Sequence, residues 1–88
     1  MGIAKKGTRR ICVDGVSYRW VARELSPGLR IVVQAADRLG AVLVLRTGQN
    51  IAATHVHPSE VASAIQIARA AGWEPQQSGP PLEVAVSL

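Results

Sequence analysis

Two runs rich in β-branched and aromatic residues, Thr8 to Val13 and Val16 to Glu24, are separated by Asp14-Gly15, and within them Ile11 and Val13, then Val16, Tyr18 and Trp20, recur at every second position. Alternation with period two is the signature of a half-buried strand, so the segment reads as two strands, Thr8 to Val13 and Val16 to Glu24. Asp-Gly supplies the two positive φ angles of a type I′ turn, which makes the pair a tight β-hairpin. Such a turn fixes the register. Val13 then opposes Val16, Ile11 opposes Tyr18 and Arg9 opposes Trp20 on the core face, while Cys12 opposes Ser17, Arg10 opposes Arg19 and Thr8 opposes Val21 on the other. If the strands extend further, Lys6 opposes Arg23.

Beyond a break at Ser26-Pro27-Gly28 the pattern changes. Leu29 to Ala36 and Ala41 to Arg46 read as a third and a fourth strand joined by Asp37-Arg38-Leu39-Gly40, whose glycine fits a G1 bulge. Ile31-Val32-Val33 and Ala41 through Leu45 are apolar without alternation, as expected of strands covered on both sides. After a turn at Thr47-Gly48-Gln49-Asn50, Ile51 to His55 reads as a short fifth strand weakened by its two alanines.

A helix then opens with Pro58 at its first position, behind Val56 or His57, and with Glu60 in its first turn. Val61, Ala64, Ile65, Ala68 and Ala71 fall on one stripe, and Gly72 followed by Trp73 closes the helix. Leu82, Val84, Val86 and Leu88 alternate with polar or small residues in a last half-buried strand. The fold class expected is α+β: an antiparallel sheet of five or six strands with one α-helix packed on one face, in the order β-β-β-β-(β)-α-β.

At 88 residues the chain suits one domain, here 8–88, preceded by a basic segment, 1–7, expected to be disordered. Aromatic residues are only 3% of the total, so aliphatic side chains must fill the core around Tyr18, Trp20 and Trp73. The lone Cys12 allows no internal disulfide, and no apolar run marks a signal peptide or a membrane span. A cytoplasmic protein is the corresponding expectation.

A formal charge of +4 favours anionic partners. The hairpin register gathers Lys6, Arg10, Arg19 and Arg23 on one surface, as an anion or nucleic-acid site or as a solvated face neutralised by Glu83 or Glu24. Because one helix covers one side of a sheet, Val32, Val42 and Val44, or their opposite-face neighbours, are expected to form an apolar patch, covered by a second copy of the chain in a homodimer or else by the terminal segments. Tyr18 and Trp20 interleave with Arg19 and Arg23 in sequence, but the register puts rings and guanidiniums on opposite faces, which makes the rings core anchors.

Candidates for catalysis are sparse. His55 and His57 are spaced to point the same way on a strand, but the third ligand of a catalytic zinc would have to come from Cys12, Asp14 or Glu60. A thiol nucleophile at Cys12 would need one of those histidines beside it, and a strand cysteine is more simply inert packing. No phosphate-binding glycine loop, nucleophile elbow or dinucleotide fingerprint is present.

Two segments, Val13-Asp14-Gly15-Val16-Ser17-Tyr18-Arg19-Trp20 and the helix with its exit Ala71-Gly72-Trp73-Glu74-Pro75, carry a resemblance. The chain resembles small uncharacterised bacterial proteins of the mobile gene-cassette (integron cassette) type, which pair an Asp-Gly hairpin bearing Tyr and Trp with a helix ending in Gly-Trp-x-Pro. The resemblance implies this fold and a bacterial, cytoplasmic origin, and implies no activity. The sequence therefore favours a non-enzymatic protein-binding or self-assembling module without a cofactor, open to an acidic protein partner. Nucleic-acid binding through the basic face is the first alternative, and a small metal- or thiol-dependent enzyme the second.

Overall fold

The structure is a computed structural model that describes residues 7–25, 28–37, 40–48 and 52–86. Its elements are β1 (Arg9–Val13), β2 (Val16–Glu24), β3 (Leu29–Ala35), β4 (Leu43–Thr47), a 3-10 turn (Ala53–His55), α1 (Pro58–Ala70) and β5 (Leu82–Ala85). The strands form one sheet in the order β1-β2-β3-β4-β5. Except for Gly7, the segment expected to be disordered lies outside the described residues.

The hairpin forms as its sequence dictates. Asp14 and Gly15 take φ angles of 51° and 81°, and the pairs run from Val13 with Val16 to Arg9 with Trp20, with Arg10 opposite Arg19 between them. Trp20 is 2% exposed and Tyr18 fully buried, so both rings face the core.

Two expectations about the sheet need correction. The sheet is mixed: β1 to β4 are antiparallel neighbours, but β5 lies parallel to β4. The reason is topological, since a helix between two neighbouring strands acts as a crossover and returns the chain in its original direction. In addition, no strand forms at 52–55, where the backbone winds into the 3-10 turn instead, and Ile51 lies outside the described residues. The backbone N–H of Ala53 donates to a carboxylate oxygen of Glu24 at 3.0 Å, which ties this turn to the end of β2.

Helix α1 buries Val61, Ile65 and Ala68 in the same core as Leu29, Ile31, Val33, Leu43 and Leu45. Ala64 is half-buried and Ala71 exposed, so the stripe on the helix is narrower than its sequence implies. At the N-terminus the His57 N–H donates to the Glu60 carboxylate at 2.8 Å. At the C-terminus Gly72, at φ 108°, lets the Trp73 N–H reach back to the Ala68 carbonyl and its own N–H to that of Arg69. Trp73 thereby stacks on Tyr18 with centroids 5.8 Å apart, and its indole N–H donates to the Ala41 carbonyl at 3.1 Å. Arg69 completes the corner by donating to the Tyr18 hydroxyl at 2.9 Å.

Gly40 does not adopt the left-handed conformation that a G1 bulge requires. Its constraint is space: a Cβ at this position would collide with the Pro75 carbonyl and come within 2.9 Å of the Gln77 nitrogen.

Candidate functional site

Every side chain of β2 that does not face the core faces the other side of the sheet, where no helix packs among the described residues. Ser17, Arg19, Val21 and Arg23 therefore line one track, since alternate strand residues share a face. The pairings extend that track across the sheet. Arg10 lies opposite Arg19, and Arg19 opposite Gln34. Val21 lies opposite Val32, and Val32 opposite Val44. Arg23 lies opposite Arg30, and Arg30 opposite Arg46.

The result is a banded surface. A valine band, Val21-Val32-Val44, crosses the middle of the face with Arg10 and Arg19 on one side and Arg23, Arg30 and Arg46 on the other. Four residues along β2 separate the two arginine bands, roughly 13 Å at strand rise. Across each band neighbouring guanidiniums start from backbones about 4.8 Å apart.

Half of the chain's ten Lys and Arg residues occupy this face. The acid of the outer-facing strand positions is Glu83, whose Oε1 sits 3.2 Å from Nη1 of Arg46. Arg10, Arg19, Arg23 and Arg30 have no carboxylate partner among the described residues. Glu24, the other acid expected to neutralise the face, is engaged with the backbone of Ala53.

The surface is built rather than loosely waving. The Nε atoms of Arg19 and Arg30 are buried without a hydrogen-bond partner, and both residues are half-buried, so their stems lie along the sheet. Val21, Val32 and Val44 are half-buried too, which is what arginine stems laid over a valine band produce. Gln34, 3% exposed, continues the Arg10-Arg19 row onto β3.

Of the residues that the sequence assigned to a basic site, Arg10, Arg19 and Arg23 share this face, and Lys6 lies outside the described residues. Arg30 and Arg46 were missed. The signal for Arg30 is in the chain, because a short connection from β2 to β3 pairs residues summing to 53, Glu24 with Leu29 and thus Arg23 with Arg30. Of the residues assigned to an apolar interface, Val32 and Val44 pair on this face, whereas Val42 precedes β4 and its carbonyl accepts from the Leu82 N–H.

The remaining candidates do not converge. His55 ends the 3-10 turn and His57 is the N-cap of α1, both exposed, so the same-side geometry of a strand does not apply to them. Cys12 is exposed on the outer face, a correction to its reading as inert packing. Among the described residues no three His, Cys, Asp or Glu side chains come together as a metal site.

A concavity of about 420 Å³ lies on the other side of the sheet between α1 and β5, lined by Leu45, Ala64, Ile67, Ala68, Val84 and Val86. It is open and apolar. Glu60, at its rim, is already the acceptor of the helix cap. No helix of the described residues is long and apolar enough to cross a membrane. No family model matches this chain, and no curated protein or solved structure matches it either.

Proposed function

We propose that this protein binds the phosphate backbone of nucleic acid through the helix-free face of its sheet, without catalysing a reaction. The observation that carries this reading is the pair of arginine bands, five guanidiniums against, among the described residues, the one carboxylate of Glu83. Arginine suits the task because its planar fork meets phosphate oxygens with two parallel hydrogen bonds and stays charged at any physiological pH.

The face also bears a cost that binding would repay. Arg10 with Arg19, Arg23 with Arg30, and Arg30 with Arg46 are like charges directly opposite on neighbouring strands, each unfavourable by on the order of a few tenths of a kcal/mol. A line of phosphates laid over each band turns that repulsion into attraction.

Fluorescence polarisation with labelled mixed-sequence nucleic acid tests the reading. With four unpaired arginines engaged, affinity should fall by roughly two orders of magnitude between about 50 and about 200 mM salt. Replacing Arg19 and Arg30 by Glu should abolish binding while the circular dichroism spectrum is preserved. Binding that ignores salt, or that survives both charge reversals, refutes the reading. So does tighter binding to polyglutamate than to nucleic acid, which would assign the face to an acidic protein.

The valine band favours a second reading, self-association through the same face with Val32 and Val44 at its centre. It must bring two sets of arginines together, and the two readings compete for one surface, so they respond oppositely to salt.

A further inference from the structure

Resting on the reading above, we infer that the face takes double-stranded nucleic acid, held by its two backbones and without regard to base sequence. Two features of the surface lead there.

The first is what the face lacks. Binding of single strands draws on aromatic side chains against which bases stack. Here Tyr18, Trp20 and Trp73 are all in the core, at 0%, 2% and 4% exposure, and they lie on the helix side of the sheet. Base edges are read by side chains that protrude into a groove, commonly from a helix, with Asn, Gln and Arg as the usual readers. The outer face is the surface of a sheet, and its amide, Gln34, is buried at 3% exposure beside Arg19.

The second is how the cations are spaced. The bands stand roughly 13 Å apart along the strands. A single nucleic-acid strand lying in one band leaves the other without phosphate. A duplex offers two backbones, and the major groove of B-form DNA is about 12 Å wide. The two bands can thus grip backbones on opposite sides of one groove while the valines face the opening between them. Arg46, held by Glu83, marks the outer end of one band.

The test compares four probes of about 20 nucleotides or base pairs at fixed low salt, where backbone contacts dominate: a duplex DNA, one of its strands made free of self-pairing, and two further duplexes of unrelated sequence. Two double variants, R10Q/R19Q and R23Q/R30Q, each remove the arginines of one band that have no carboxylate partner among the described residues, without adding negative charge. The duplex should bind at least tenfold more tightly than the single strand, and the three duplexes should agree within about threefold, as contacts to phosphate carry no sequence information. Each double variant should lose at least tenfold in duplex affinity and lose the preference for duplex over single strand.

Equal or tighter binding of the single strand, with its salt dependence intact, overturns the duplex inference but leaves the phosphate-binding reading standing. A preference of more than about tenfold among duplexes overturns backbone-only recognition. A band that can be neutralised without effect removes the two-backbone geometry. Absence of binding to every probe by the correctly folded parent protein removes both this inference and the reading under it.

Discussion

At the scale of single residues, Gly40 and Gly48 look alike in the sequence, each sitting in a turn, yet the structure gives them different burdens. Backbone from the 75–77 segment leaves no volume for a Cβ at Gly40, whereas nothing lies within 4 Å of the same atom at Gly48. Gly40→Ala should therefore destabilise the fold by roughly 2 kcal/mol as the backbone is pushed apart, and Gly48→Ala should change it by less than about 0.5 kcal/mol. Urea denaturation of the two variants checks this, and equal midpoints would mean that the approach of Pro75 to Gly40 is not a feature of the folded protein. Gly28 is constrained twice, by its φ of 104° and by the Thr47 carbonyl beside it. This is where sequence is least informative: a glycine required by a neighbour 35 residues away carries no local mark.

At the scale of elements, what the chain announces is what depends on near neighbours. The hairpin was legible because Asp14-Gly15 sets the turn and the turn sets every pair along β1 and β2. The helix was legible through Pro58, Glu60 and Gly72-Trp73, each of which acts within one turn. The direction of β5 was not. Alternation from Leu82 to Val86 looks the same in a parallel and an antiparallel strand, and the crossover through α1 decides between them. The basic face was half legible for the same reason, as Arg10 and Arg19 follow from a two-residue turn while Arg30 and Arg46 need the registers of three strands. Those registers make a prediction. Arg30 stands between Arg23 and Arg46 with its Nε buried and unpartnered, so it bears repulsion from both sides. Arg30→Gln should stabilise the isolated protein by roughly 0.5 kcal/mol, seen as a higher urea midpoint with an unchanged slope, and the gain should shrink as salt is added. A loss of stability independent of salt would show that the guanidinium holds the sheet together rather than straining it.

At the scale of the whole molecule, the sheet divides the protein into an aliphatic and aromatic core under α1 and a cationic surface opposite, and that division decides what the chain does with its own copies. Face-to-face pairing would bury two valine bands but also confront ten guanidiniums with two carboxylates, and burying charge without partners is costly. Screening reduces that cost, since the Debye length falls from about 10 Å at 0.1 M salt to about 3 Å at 1 M. Sedimentation at high micromolar protein should accordingly give a monomer of 9.3 kDa at low salt, with association appearing, where it appears at all, only at high salt. Nucleic-acid binding should move the opposite way over the same range. A dimer that is stable at low salt and is broken by Val32→Asp or Val44→Asp would invert this ordering, because it would mean that the apolar band outweighs the arginines beside it and that the face belongs to a second copy of the chain.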